Sequence, residues 1–171
     1  MRQLFTIDLK DYDPNGKKFY RPSVRGIIRN KNGEVAMIYS LKWHFYKFPG
    51  GGMEENETQL ETLIREVREE TGLRVIPETV KEFGEVLKIQ NEDHSENTIH
   101  IQQNFYYTCE VEDDRGEQEL DEYEKEMDFV FGYVPIEEAI AKNAAFQSDN
   151  LFDNLIAERE KRVLEILKNE N

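Results

Sequence analysis

Carboxylate and glycine residues are concentrated in two neighbouring segments of the 171-residue chain, 48–57 and 65–73. The first segment carries three consecutive glycines, which allow a backbone to approach a ligand or an ion closely. The second predicts a helix on which Glu66, Glu69 and Glu70 share one face, because they stand at positions i, i+3 and i+4. Hard divalent cations prefer oxygen ligands, and Mg²⁺ in proteins is held by carboxylates together with substrate phosphates. These residue types therefore indicate a site for a divalent cation.

A helix has to present these carboxylates beside the protein interior. Residues 57–71 predict that helix through an apolar stripe of Leu60, Leu63, Ile64 and Val67. Asn56 followed by Gln59 predicts a variant capping box, and Gly72 predicts the end of the helix. The carboxylate face is turned about a third of a revolution from the stripe, so the acids flank the buried side. A solvated acidic helix face is the alternative interpretation, although like charges four residues apart cost a helix about 0.2–0.5 kcal/mol per pair.

The spacing of these residues matches a known signature. It reads Gly51-x5-Glu57-x7-Arg65-Glu66-Val67-x-Glu69-Glu70-x-Gly72-Leu73, which fits G-x5-E-x7-R-E-U-x-E-E-x-G-U at every defined position, where U is aliphatic. Residues 51–73 therefore resemble the Nudix box of the MutT-like, or Nudix, hydrolases. Phe48-Pro49-Gly50 resembles the usual lead-in of that family, and residues 133–139 read YVPIEEA where members often carry WVPLEEA.

This resemblance implies a Nudix fold, which is an α/β/α sandwich around a mixed β-sheet. It also implies hydrolysis of a diphosphate (pyrophosphate) bond with Mg²⁺, for which Mn²⁺ substitutes. The substrate is then a nucleoside diphosphate linked to another group, including a nucleoside triphosphate or a modified nucleotide, and water attacks at phosphorus. The alternative is a nucleotide-binding or regulatory module on the same fold without turnover. The intact carboxylate set favours the hydrolase, because a binding module has no need for three like charges on one helix face.

Site residues follow from the resemblance, position by position. Glu66, Glu69 and Glu70 correspond to metal ligands, and Glu66 is also a candidate to orient or deprotonate water. Glu57 and Arg65 correspond to a supporting ion pair, with Glu57 a further candidate to touch a metal. The family's glycine loop corresponds to Gly50, Gly51 and Gly52, and the carbonyl group of Gly50 or Gly51 is an additional candidate ligand.

An acidic stretch precedes the last predicted strand. Residues 110–128 contain eleven acids against two bases, which by charge alone indicates a solvated loop. Some Nudix members recruit another Glu from the loop before the last strand. Glu126 is our candidate for that catalytic acid, with Glu124 and Glu122 as alternates.

Aromatic side chains are candidates to stack a base. They are Trp43, Phe45, Tyr46 and Tyr107. The companion motifs of NADH-, ADP-ribose-, dinucleoside polyphosphate- and coenzyme A-cleaving members are absent from the sequence, so the natural substrate stays open. Cys109 lies in a predicted strand and is expected to be a small core residue. His44, His94 and His100 lack the spacing of metal ligands and are expected to be structural or surface residues.

Composition sets the class of protein. A chain of 171 residues supports one domain, residues 1–171, with a sizeable core. Its net charge of −14 disfavours nucleic-acid polymers and anionic membranes as partners, because phosphate attracts basic proteins. The single cysteine excludes an internal disulfide and a multi-cysteine zinc site. Without a signal-peptide or membrane-spanning pattern, we expect a cytoplasmic monomer or homodimer that binds a small-molecule nucleotide.

Strand and helix patterns surround the box. Residues 21–48 predict a hairpin with its turn at Lys31-Asn32-Gly33. Residues 81–90, 99–111 and 129–134 predict further strands, and Pro135 predicts the start of a short helix. A final helix is predicted over about 149–168, with an apolar stripe for the core that comprises Phe152, Leu155, Ile156, Val163, Ile166 and Leu167.

Overall fold

The structure is a computed structural model that describes residues 1–92 and 96–170. Its strands are β1 (Gln3–Asp8), β2 (Lys17–Ile27), β3 (Val35–Ser40), β4 (Tyr46–Lys47), β5 (Gly50–Gly52), β6 (Lys81–Asn91), β7 (Thr98–Thr108) and β8 (Phe129–Val134). Its helices are α1 (Gln59–Thr71), α2 (Glu122–Glu126), α3 (Ile136–Ala145) and α4 (Leu151–Asn169), with a 3₁₀ turn at Pro77–Thr79. His94, one of the three histidines considered above, lies outside the described residues.

The strands form two sheets within this part of the chain. The first is mixed, with the order β1-β6-β7-β2-β5, and the second has the order β4-β3-β8. In the first sheet β1 runs parallel to β6 and β2 parallel to β7, whereas β6 and β7 are antiparallel. All pairs of the second sheet are antiparallel. The mixed sheet predicted from the sequence is confirmed.

The predicted hairpin over residues 21–48 forms only around its turn. Gly33 takes a φ of 80° there, and the backbone N–H of Ala36 donates to the Ile28 carbonyl over 2.9 Å. Beyond this point the two strands separate into different sheets. β2 pairs with β7 over its whole length, from Lys17 opposite Thr98 onwards, and β3 pairs with β8. The Asn-Gly pattern predicts only that the chain reverses direction locally. It does not predict which strands β2 and β3 pair with further along.

Helices cover both faces of the sheets, which confirms the α/β/α sandwich. Consecutive residues of β2 point to opposite sides, so Val24 packs with Leu63 and Val67 of α1 in one hydrophobic cluster. Ile27 packs instead with Val163 and other residues of α4 and α3 in a second cluster. No helix in the described ranges is both long and apolar enough to cross a membrane.

Helix α1 begins two residues later than predicted. Thr58 is its N-cap and forms a capping box with Glu61, so the Asn56–Gln59 pairing predicted from the sequence is wrong. Leu60 is 40% exposed and is not a core position. The helix ends before Gly72, which adopts the left-handed conformation, as predicted. This geometry fixes the direction in which the carboxylates of α1 point.

Candidate active site

Glu70 is the most buried carboxylate of the site, with 1% of its surface exposed. Its Oε1 forms an ion pair with Lys47 of β4, and its Oε2 accepts a 2.7 Å hydrogen bond from the backbone N–H of Gly50. Burial opposes the charged form, but Lys47 and the hydrogen bonds outweigh it and lower the pKa of Glu70. Glu70 is therefore ionised at neutral pH although it is shielded from water.

Glu66 lies one helical turn earlier and packs directly against β5. A side chain at Gly51 would overlap the Glu66 carboxylate, so only glycine permits this approach. Arg65 Nη1 donates to Glu66 Oε1 over 2.7 Å. Burial and the neighbouring Glu70 nevertheless raise the pKa of Glu66 above its ordinary value. The two carboxylates thus share a confined space in which like charges repel.

Glu124 of α2 completes the group. One ligand oxygen from each of Glu66, Glu70 and Glu124 lies within 4.8 Å of the others. Burial, followed by a hydrogen bond to Glu70, raises the pKa of Glu124 to about 8. Three oxygens from three carboxyl groups at this separation are suited to a hard divalent cation such as Mg²⁺.

The structure places Glu126, the acid preferred from the sequence, outside this group. Its side chain is 72% exposed and forms a 3.1 Å ion pair with Lys42. Glu124 and Glu126 are two residues apart on a helix and therefore point in nearly opposite directions. Glu122, the other alternate, is exposed at the start of α2. The sequence pattern indicated the correct segment but not the residue that enters the cluster.

Arg65 organises the outer side of the site. Its guanidinium donates to Glu57 over 2.6 and 2.8 Å and to the Gly52 carbonyl over 3.2 Å. The hydrogen bond from Arg65 lowers the pKa of Glu57 to about 2. The ion pair expected from the resemblance is therefore present. Arg65 also lies 3.3 Å from Glu69, which lines the cleft but is not part of the three-carboxylate group.

The glycine loop forms a short strand on the edge of the mixed sheet. Gly50 has a φ of 140°, and a side chain there would overlap the backbone of β2 at Val24. The Gly50 carbonyl, a candidate metal ligand in the sequence analysis, accepts a hydrogen bond from the Arg25 guanidinium. Gly51 and Gly52 lie opposite Val24 and Ser23 in the same antiparallel pair.

A cleft of about 800 Å³ opens beside these residues. On one side it is lined by the acidic face of α1, including Glu66, Glu69 and Glu70. Its other walls contain residues that the sequence analysis did not propose for the site, namely Phe19, Arg21, Arg25, Lys47, Phe152 and Arg159. Strand alternation along β2 was the available signal for the first three, since they stand at odd positions on one face.

The four base-stacking candidates lie mostly away from this cleft. Trp43 donates from Nε1 to the Met127 sulfur over 3.2 Å and lines a separate groove. Tyr46 donates from its hydroxyl group to Glu138, and the Tyr107 hydroxyl donates to Gln59. Phe45 does line the cleft, but it is only 1% exposed and offers no free ring face.

His44, His100 and Cys109 do not belong to the group of candidate metal ligands. His44 Nδ1 lies 3.1 Å from the Tyr39 hydroxyl, and His100 Nδ1 lies 2.6 Å from Glu92 Oε2. Cys109 is buried, and burial raises the pKa of its thiol to about 12. A thiol with this pKa is a poor nucleophile at neutral pH, in agreement with a core role.

A family model described as the NUDIX domain matches residues 19–155 of the chain. The match covers the box, the strands that hold it and both α2 and α3. The chain therefore belongs to the NUDIX domain family.

Curated relatives are similar over a shorter segment. "RNA pyrophosphohydrolase" of Stenotrophomonas maltophilia (strain K279a) is 39% identical over 72 residues, which cover 42% of this chain and 32% of that protein. The protein of the same name from Xanthomonas campestris pv. campestris (strain B100) is 39% identical over 72 residues, 42% of this chain and 33% of its own length. The match thus spans about a third of the length of these relatives.

Solved structures share the fold. The "NUDIX hydrolase from Nitrosomonas europaea" is 18% identical with a TM-score of 0.54, over 82% of this chain and 89% of that one. A "putative nudix hydrolase family member from Chromobacterium violaceum" is 19% identical with a TM-score of 0.50, over 90% of this chain and 83% of that one.

Proposed function

We propose that the chain is a Mg²⁺-dependent hydrolase, in which Mn²⁺ can replace Mg²⁺, and that it cleaves a diphosphate bond in a nucleoside diphosphate linked to another group. The observation that carries this proposal is the convergence of Glu66, Glu70 and Glu124 within 4.8 Å beside the glycine strand. All three are at least partly buried in a cleft large enough for a nucleotide. Lys47 pairs with Glu70, but the like charges of the three carboxylates still repel at this separation, and a divalent cation would relieve that repulsion.

The donor set fits a magnesium or manganese ion. Glu66, Glu70 and Glu124 would hold it, and Glu69, which lines the same cleft 3.3 Å from Arg65, is a further candidate ligand. A bound divalent cation would neutralise charge on the phosphate oxygens and make water a better nucleophile. Glu70 is held ionised by Lys47, which keeps this ligand charged in a buried position.

Protein residues then orient the reactants. Glu66 is also our candidate to accept a proton from the attacking water, because its carboxylate belongs to the cluster that would hold the cation. Arg65 holds the Glu66 carboxylate from one side, and Gly51 gives it room on the other. No covalent intermediate is required, since the only cysteine is buried with a pKa of about 12.

The substrate we favour is a small nucleotide rather than a polymer. The chain carries a net charge of −14, which repels an extended polyanion, whereas the basic side chains Arg21, Arg25 and Arg159 are gathered inside the cleft. The curated relatives are named for RNA, so an RNA with a 5′-triphosphate is the second candidate substrate. A non-catalytic nucleotide-binding module on the same fold is the alternative to a hydrolase.

The test is a phosphatase-coupled screen with Mg²⁺ and with Mn²⁺ over nucleoside triphosphates, nucleotide sugars, dinucleotides and a 5′-triphosphorylated oligoribonucleotide. We expect metal-dependent turnover of a small nucleotide, and a single turnover in H₂¹⁸O should place the label in one phosphate product. Glu70→Gln is the inactive control. Binding of nucleotides without turnover of any of them would favour the binding module, and label appearing first on the protein would contradict direct attack by water.

A further inference from the structure

One face of the mixed sheet forms the floor of the cleft. Residues that are paired across neighbouring strands point to the same side of a sheet. The pairs of β2 and β7 on this face are Phe19–His100, Arg21–Gln102, Ser23–Asn104 and Arg25–Tyr106. This face is the one opposite α1, and its part nearest Phe19 opens into the cleft.

Helix α4 covers the rest of this face. Arg159 donates to Asn104 over 2.9 Å, and Tyr106 donates to Glu160 over 3.3 Å, so the middle of α4 is fastened to β7. Phe152 and Ile156 line the cleft together with Arg159, at positions i, i+4 and i+7 of one helical face. The N-terminal turns of α4 therefore form a wall of the cleft rather than part of the core.

Two phenylalanines border the cleft with free ring surface. Phe19 is 48% exposed on β2, and Phe152 is 45% exposed on α4. Large apolar side chains at a concave site, rather than scattered over the surface, mark a place where a ligand covers them. Each ring contacts one cationic or polar side chain. Lys88 Nζ lies 4.9 Å from the centroid of the Phe152 ring, and the rings of His100 and Phe19 pack edge-on with their centroids 5.5 Å apart.

Two buried polar atoms on this sheet face have unmet hydrogen bonds. Arg25 is only 8% exposed, and its Nε has no hydrogen-bond partner in the described part of the chain. The Nε2 of His100 is also buried and has no hydrogen-bond partner among residues 1–92 and 96–170. Both residues line the cleft. Because buried polar groups are almost always paired in folded proteins, these atoms indicate a partner that arrives from outside the chain.

Charge divides the cleft into two halves. Arg21, Arg25, Lys88 and Arg159 stand on or against the sheet face, where Glu160 is the acid that pairs with Arg159. The opposite wall carries the carboxylates of α1. A ligand that spans both halves must therefore present anionic groups toward the cations and the cation site, and a planar apolar group toward Phe19 and Phe152.

We propose that Phe19 and Phe152 bind the base of the nucleotide between β2 and α4, while Arg25 and Arg159 face its phosphate side. This inference rests on the proposed function only in taking a nucleotide as the ligand. It makes α4, which the sequence assigned to the core, a base-binding element. The base is recognised through stacking on exposed rings, an interaction that every base can make, and Gln102 beside them can donate to or accept from its edge.

The test measures binding without turnover. Calorimetry with Mg²⁺ would compare α,β-methylene diphosphates of adenosine, guanosine, cytidine and uridine, which keep no cleavable diphosphate bond, with methylenediphosphonate, which lacks base and sugar. We expect at least one nucleotide to bind more tightly than methylenediphosphonate. Phe152→Leu and Phe19→Leu should each lower the affinity for that nucleotide about ten-fold and change the affinity for methylenediphosphonate less than two-fold. Phe152→Tyr should keep the affinity of the unmodified chain, because it keeps the ring.

Leu151→Ala is the matched control, since Leu151 is 56% exposed on the same helix and is not among the residues that line the cleft. It should bind all probes as the unmodified chain does.

The inference is overturned if neither leucine variant weakens nucleotide binding. It is also overturned if the variants weaken the binding of the nucleotide and of methylenediphosphonate equally. Failure of methylenediphosphonate to bind the unmodified chain would instead contradict the diphosphate site of the proposed function. Base-dependent binding without hydrolysis would leave the inference standing and refute the hydrolase. If one leucine variant does not fold, the other decides the matter.

Discussion

A carboxyl oxygen of Glu124 on α2 lies within 4.8 Å of one from the buried carboxylate of Glu70 on α1. Two carboxyl groups in such contact share one proton, and burial together with Glu70 raises the pKa of Glu124 to about 8. A cation held by the same oxygens would take the place of that proton. Protons and metal therefore compete for the site, as in other sites whose ligands must be deprotonated.

The first prediction concerns the pH dependence of metal binding. A raised pKa means that protonated Glu124 stabilises the metal-free fold fully below its ordinary value near 4.5, and that this contribution is lost as the pH rises through about 8. Millimolar Mg²⁺ should raise the melting temperature by about 5 °C at pH 9 and by less at pH 6. Thermal scans of the unmodified chain and of Glu124→Gln measure this.

The matched control is Glu126→Gln, because Glu126 lies on the same short helix but pairs with Lys42 at the surface. It should retain the full pH trend, whereas Glu124→Gln should flatten it. An Mg²⁺-induced shift of the same size at pH 6 and pH 9 in the unmodified chain would exclude competition between the metal and the Glu124 proton.

The second prediction ranks the acids by their effect on catalysis. Glu70→Gln and Glu66→Gln keep size and helix propensity but remove a charge from the cluster, so each should lower kcat at least about 100-fold. Glu126→Gln should stay within about two-fold, because its carboxylate is 72% exposed and distant from the group. Rates on a substrate identified in the screen provide the measurement, and a Glu126→Gln loss equal to that of Glu70→Gln would disprove this ranking.

The third prediction concerns stability at low pH. Hydrogen bonding to Arg65 lowers the pKa of Glu57 to about 2, so this pair stabilises the fold above the ordinary value near 4.5 and loses that effect as the pH falls through about 2. Glu57→Gln should lower the free energy of unfolding by about 1–2 kcal/mol at pH 7. Urea titrations between pH 7 and pH 2 should show the difference from the unmodified chain shrinking, and Glu55→Gln, at an exposed neighbouring position, should show none. A difference independent of pH would mean that Glu57 acts through packing alone.

The fourth prediction concerns the ion pair beneath the cleft. Arg159 and Glu160 are 2% and 0% exposed, and their side chains pair with each other while Arg159 also reaches Asn104. Glu160→Gln leaves a buried guanidinium without its counter-charge and should cost about 3 kcal/mol in urea unfolding. The less buried pair Lys161–Glu158 on the same helix, with side chains 22% and 46% exposed, is the control, and Glu158→Gln should change stability by less than about 0.5 kcal/mol. Equal effects of the two substitutions would show that burial does not govern this pair.

Local patterns predicted several elements because their determinants lie within a few residues of each other. The apolar stripe with Leu63 and Val67 predicted α1, and the β-rich run after residue 98 predicted β7. The strand β8 and the start of α3 after Pro135 are also where the sequence places them. The N-terminal strand β1 was not predicted, since it is a short edge strand whose pairing with β6 is parallel and distant in sequence.

Other features depend on neighbours that no local pattern specifies. Two adjacent strands, β2 and β3, share a turn, yet each finds its main partner elsewhere, in β7 and β8. The apolar stripe of α4 extends to Phe152, but that ring borders the cleft instead of the core. A hydrophobic pattern states that a side chain is apolar, and only packing decides whether protein or a ligand covers it.

The sequence by itself determined the chemistry available, because helical spacing places Glu66 and Glu70 on one face whatever surrounds the helix. The tertiary structure decided which groups meet that face. Lys47 and Glu124 are 23 and 54 positions from Glu70, and their side chains reach it from β4 and from α2. Contacts between residues so far apart arise from the closure of the whole fold, whose energy is spread over both hydrophobic clusters rather than encoded near either residue.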